Sequence, residues 1–106
     1  MSLVYEVTAV VEHELAEEWE RYMRERHIPD VLATGCFTRV SLVRAQGGRY
    51  RIWYHAASSA DLDRYLNHSA PALRAEFSAR YPGGVALTRE TWELAQEWGA
   101  PGRSSG

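Results

Sequence analysis

Residues 36–57, CFTRVSLVRAQGGRYRIWYHAA, decide how this chain folds. Cys36 to Ala45 carries β-branched and aromatic side chains, Gln46-Gly47-Gly48-Arg49 supplies a turn, and Tyr50 to Ala57 alternates apolar with polar residues. The stretch reads as a β-hairpin. In its second strand Tyr50, Ile52, Tyr54 and Ala56 point one way, whereas Arg49, Arg51, Trp53 and His55 point the other. One face therefore asks for a hydrophobic cover, and the other is cationic and aromatic.

Outward from the hairpin, the order of elements follows. Leu3 to Glu12 alternates, with Leu3, Tyr5, Val7, Ala9 and Val11 on one side and Glu6 and Thr8 on the other, so it reads as a strand. From Glu14 to Arg26, Leu15, Trp19, Tyr22 and Met23 recur at helical spacing, with acids in the first turns and Arg24, Arg26 and His27 near the end. Pro29 predicts a stop or kink, with a short restart through Val31, Leu32 and Ala33 that Gly35 terminates. Beyond the hairpin, Ser58 and Asp61 fit a capping box, and Leu62, Tyr65, Leu66, Leu73 and Phe77 follow with helical spacing. His68-Ser69-Ala70-Pro71 predicts an interruption there, with Ser69 capping a restarted segment to about Tyr81. Pro82-Gly83-Gly84 ends it, and Val85 to Leu94 reads as the last strand.

The result is β-α-β-β-α-β, an α+β arrangement of the ferredoxin-like type: an antiparallel four-stranded sheet with two helices on one face and the other face bare. Residues 1–98 are expected to form one such domain, and 99–106, built of Gly, Ser and Pro with one arginine, a flexible tail. Glu6 and Thr8 join Arg51, Trp53 and His55 on the bare face. Phe37, Arg39, Ser41 and Val43 are expected there from the second strand, and Thr88, Glu90 and Trp92 from the last. A face of this composition closes most readily onto a second copy of itself around polar cavities, so a homodimer is expected.

Composition excludes several classes. The chain has 106 residues, 45% apolar and 25% charged, with no apolar run near the ~18 residues of a membrane span. No basic, apolar and small-residue succession marks a signal peptide, and a cytoplasmic address is the default. All 12 basic residues are arginine, so lysine Schiff-base chemistry is excluded, and the net charge of −2 shows no basic patch for nucleic acid. The lone Cys36 offers no internal disulfide and no multi-cysteine metal site. The histidines at 13, 27, 55 and 68 have no metal-ligand spacing, so no metal and no cofactor is expected.

The residues that point to chemistry are few. His27, before Pro29 and three positions ahead of Asp30, is either a general acid/base at a cavity mouth or a helix-end residue bonding the last carbonyls. His68, beside the only asparagine, Asn67, is either a ligand donor or a partner for backbone groups that Pro71 frees. His55 and Arg51 share one face with Trp53 between them. An arginine fork for a carboxylate, a histidine for a proton and an aromatic wall make a pocket for a small organic acid, with Arg39 alongside. The competing reading is an exposed or dimer-buried strand face in which Arg51 pairs with Glu6 or another acid across the sheet.

Two segments carry a resemblance: RHIPDVLATGCF, residues 26–37, and DLDRYLNHSAPALRAEFSARYPGG, residues 61–84. The succession His-Ile-Pro, Val-Leu-Ala-Thr-Gly with an aromatic, Tyr-Leu and Leu-Arg-Ala-Glu resembles a family of bacterial proteins known only as a domain of unknown function, family four-two-eight-six. Ser69 lengthens the His-to-Pro spacing relative to that family's His-Ala-Pro. The resemblance spans nearly the whole chain and implies a subunit similar to the dimeric α+β barrel superfamily. It implies no activity and carries over no catalytic residue. Some relatives of that superfamily use haem, which an axial His27 or His68 would serve, although nothing in the spacing argues for it. The reading is a homodimer with an aromatic-lined cavity for a small acidic metabolite. Either it moves a proton on that metabolite through His27 or His55, or it is a non-catalytic binding or assembly protein.

Overall fold

A computed structural model describes residues 2–101. Alternation sets the sheet: β1 (Leu3–Val11), β2 (Arg39–Arg44), β3 (Arg49–Ala56) and β4 (Val85–Glu93) lie in the order β2-β3-β1-β4, all neighbours antiparallel. Tyr5 stands opposite Tyr54 and Thr91, and Glu6 opposite Trp53 and Glu90. The odd residues of β1 and the even residues of β3 are therefore buried under the helices, Ile52 to 1% exposure. Thr88, Glu90 and Trp92 face the open side with Glu6 and Thr8, as expected. Gly47 and Gly48 make the hairpin turn with φ of 77° and 73°, and Ala45 donates its N–H to Arg49 at 2.8 Å.

β2 is shorter than the sequence suggests. It begins at Arg39, because Thr38 donates its N–H to the His55 carbonyl at 2.8 Å and the chain before it leaves the ladder. Phe37 consequently lies not on the open face but in the core, with ring centroids 5.3 Å from Tyr54 and 4.8 Å from Tyr65.

The two prolines do not break the helices. α1 (Ala16–Tyr22) passes through a wide turn over Met23–His27 directly into α2 (Ile28–Ala33). Likewise α3 (Ser59–Arg64) passes through Tyr65–Ser69 into α4 (Ala70–Arg80). In each wide turn one extra residue is inserted: Ile28 donates to the carbonyl of Met23, and Ala70 to that of Tyr65. The register shift places Pro29 and Pro71 in the first turn of the segment that follows, where a missing N–H costs little. Ser69 makes no capping bond, and Asn67 and His68 are exposed. His27 accordingly sits in mid-helix. The predicted ends hold: Ser58 Oγ accepts from Asp61 N–H at 3.2 Å, and Gly35, at φ 76°, donates to Leu32 at 3.1 Å.

After β4, Leu94 extends the pairing by donating to Ser2 at 3.0 Å, and 95–101 carry no helix or strand. Residues 102–106 of the expected tail lie outside the described residues. Among the described residues no helix is long and apolar enough to cross a membrane.

Candidate functional site

A cavity of about 80 Å³ lies between the helices and the sheet. The sheet contributes Tyr5, Val7, Ile52 and Tyr54, and the wide turns and their flanks supply Trp19, Met23, His27 and Tyr65. Each wide turn thus adds a residue to the cavity wall, consistent with the tendency of such insertions to re-aim side chains. Arg74 and Ser78 of α4 and Leu87 and Arg89 of β4 complete the lining, and both arginines are exposed, which places them at its mouth.

The cavity is rich in donors. Arg74 Nη2 donates to the Tyr5 hydroxyl at 2.8 Å, and among the described residues neither Arg74 nor Arg89 forms a salt bridge. Burial pushes the Tyr54 phenol above its ordinary range and the Tyr65 phenol up to about 12, so both stay protonated at neutral pH. His27 packs against Tyr22 and Phe77, at centroid distances of 6.1 and 5.8 Å. Burial lowers its pKa, against partial opposition from Asp30 and Glu76. At neutral pH its imidazole is therefore the free base.

Of the residues singled out in the sequence, His27 alone lines this cavity. Arg39, Arg51, Trp53 and His55 stand together on the open face, where His55 pairs in register with Arg39. His27 and Arg51 therefore lie on opposite sides of the sheet. His68 is exposed and lines neither region. The alternative reading in which Arg51 pairs with an acid across the sheet is not realised: among the described residues Arg51 forms no salt bridge. Glu6 accepts instead from two indoles, Trp53 Nε1 at 2.7 Å and Trp92 Nε1 at 3.4 Å, which join β3 and β4 across β1. Substituting Glu6→Ala removes the bond to the half-buried Trp53 indole and should lower stability by about 1 kcal/mol in urea unfolding.

Three contributors escaped the sequence reading: Trp19, Arg74 and Arg89. Their signal was present, since Arg89 shares the parity of Leu87 on the helix-facing side of β4, and Arg74 follows Leu73 and precedes Phe77 on the inner stripe of its helix.

A ferredoxin-like α+β fold with a donor-rich cavity beneath its helices is the class that fold and site define. The chain belongs to the family described as a domain of unknown function (DUF4286), whose profile matches residues 2–95. No curated protein matches it by sequence. Among solved structures it is similar to the haem degrader MhuD of Mycobacterium tuberculosis with two haems bound, at 21% identity over 92% of this chain and 99% of the other, TM-score 0.66. It is similar to SnoaB, a cofactor-independent oxygenase of Streptomyces nogalater, at 17% identity over 91% and 95% of the two chains, TM-score 0.68. A candidate antibiotic biosynthesis monooxygenase of Caulobacter crescentus matches at 19% identity over 90% and 91%, TM-score 0.68. At these identities the likeness establishes the fold.

Proposed function

We propose that this chain binds a small organic acid in the helix–sheet cavity and moves a proton on it, with His27 as base and Arg74 and Arg89 drawing the anion. The observation that carries this reading is the juxtaposition of a free-base imidazole with two arginines that have no carboxylate partner, in one cavity. A free-base imidazole accepts a carbon-bound or hydroxyl proton, and the guanidinium charges stabilise the anion that results. A haem does not fit: about 80 Å³ is far below the ~300–1,000 Å³ of usual ligand pockets, and the His27 imidazole is packed against the Tyr22 and Phe77 rings. No step through haem is therefore derived.

The test is a titration of isotope-labelled protein with short carboxylates and their amides, followed by NMR. Carboxylates should shift His27 and Arg74, and the matching amides should not. Shifts confined to His55, Arg51, Trp53 and Arg39 would move the site to the open face. Binding at His27 without deuterium exchange into any enolisable acid would make the protein a binder without chemistry.

The same reading includes self-association. On the open face Arg39, Arg49 and Arg51 occupy the β2–β3 half, whereas Glu6 and its direct cross-strand neighbour Glu90 occupy the β1–β4 half. Val10 and Trp92 on this face are 48% and 50% exposed. A two-fold axis parallel to the strands lays the basic half of one copy over the acidic half of the other, which relieves the Glu6–Glu90 repulsion and covers the aromatics. Sedimentation should show a dimer that weakens with salt and weakens about tenfold on Glu90→Arg. A monomer throughout the micromolar range would remove this part of the proposal.

A further inference from the structure

We infer that the open face holds a second binding site, at the hairpin end of β2 and β3, for a small aromatic anion. The site lies across the sheet from His27 and does not rest on the reading of the helix–sheet cavity. A groove of about 390 Å³ opens there, with Thr8, Val43, Arg44, Arg49, Arg51 and Trp53 in its lining. Its volume falls within the ~300–1,000 Å³ of usual ligand pockets, and among the described residues no acid lines it.

The fold leaves two charges of this groove without an answer. Arg44 is taken by Glu20 at 2.7 Å. Arg49 and Arg51 point to the same side, two positions apart on β3, and among the described residues neither forms a salt bridge. Arg51 stands between Thr8 of β1 and Val43 of β2, and Arg49 is opposite Val10, so no carboxylate is directly across the sheet from either. Glu6, one row further along β1, is already engaged by the Trp53 and Trp92 indoles. Two neighbouring guanidiniums with neutral neighbours favour an anion between them, and their planar forks match a carboxylate or a phosphate. In the dimer proposed above, an axis parallel to the strands keeps each row at its own height. A second copy therefore roofs Arg51 with threonine and not with a carboxylate.

The rest of the groove selects the body of the ligand. The Trp53 indole is half-buried and pinned by its 2.7 Å bond to Glu6, so it forms a fixed aromatic wall. Val43, on the same face of β2, adds an apolar surface. A flat ring packs against this wall with its anionic group towards Arg49 and Arg51. A simple anion uses only the arginines and a neutral arene only the wall, whereas an aromatic carboxylate or phosphate uses both.

The experiment titrates the wild-type protein with benzoate, phenyl phosphate, acetate and benzyl alcohol, and follows the Trp53 indole, Arg51, Arg74 and His27 resonances by NMR. Benzoate and phenyl phosphate should both move Trp53 and Arg51, and should bind there about tenfold more tightly than acetate or benzyl alcohol. The tighter of the two identifies the anionic group. Arg51→Gln, at an exposed side chain, should weaken both aromatic anions about tenfold, and Arg51→Lys should restore only part of the loss. Equal binding of acetate and benzoate at Arg51, or of benzyl alcohol and benzoate at Trp53, would overturn the assignment, as would unchanged affinity in Arg51→Gln. Benzoate shifts confined to His27 and Arg74 would overturn the groove and leave the helix–sheet cavity standing. Shifts at Trp53 and Arg51 with no carboxylate moving His27 would do the reverse.

Discussion

Replacing His27 by glutamine should lower solvent-deuterium exchange into an enolisable short-chain acid by about 10²–10⁴-fold, the usual contribution of a positioned general base. Glutamine approximates the volume and hydrogen-bonding of the imidazole without its basicity, so ligand affinity should change far less than rate. The pH profile supplies a second reading. Because burial lowers the His27 pKa from the ordinary value of about 6.5, the wild-type rate should be level at neutral pH and decline only in an acid limb below that value. His27→Gln should abolish the limb. The same displacement couples to stability: between the folded-state pKa and about 6.5 the unfolded chain binds more protons than the folded one, so stability is full above 6.5 and is lost as pH falls through that window. His55, lowered first by burial and then by Arg39 against Glu97, adds a loss of the same sign. His27→Gln should remove its share of the acid destabilisation, measurable as urea midpoints at pH 7 and pH 5.

The largest expected loss of stability from a single methyl group is at Gly48. Its φ of 73° lies in the left-handed region, and an added Cβ would run into the carbonyl oxygen of Val11, a backbone atom that cannot swing aside. That carbonyl belongs to the residue whose own N–H donates to Gly48 at 2.8 Å, so relief of the clash strains the bond that ties the hairpin turn to β1. The left-handed penalty of about 1–2 kcal/mol and a compromised hydrogen bond of about 1 kcal/mol together predict roughly 2–3 kcal/mol for Gly48→Ala. Gly47→Ala is the internal control. Its φ is 77°, but an added Cβ meets nothing within 4 Å, so only the backbone penalty of about 1–2 kcal/mol applies. At about 4–8 °C per kcal/mol for a domain of this size, thermal unfolding separates the two variants readily. Equal losses would mean that the turn yields without disturbing β1.

The sheet was legible because period-two alternation is a local property. Leu3 to Val11 and Tyr50 to Ala56 announce their faces residue by residue, and the choice of Thr88, Glu90 and Trp92 for the open side follows the same parity. Phe37 was misplaced because parity applies only inside a ladder, and whether the ladder extends to residue 37 depends on Thr38 finding the His55 carbonyl seventeen positions away. The helices were legible in extent but not in continuity. A proline predicts a break when the turn before it is ordinary, and here an inserted residue in each wide turn absorbs the missing donor.

The site divides in the same way. The amino-acid sequence by itself determined the element order, the two-faced sheet, the absence of lysine chemistry and the candidacy of His27, since these rest on residue type and short-range spacing. Tertiary structure alone decided that His27 turns into a cavity beneath the helices and that Arg74 and Arg89 rather than Arg51 share it. Those facts depend on how α1 and α4 cross the sheet, and that crossing is set by packing among side chains far apart in the chain, such as Trp19 on Tyr50 and Arg74 on Tyr5.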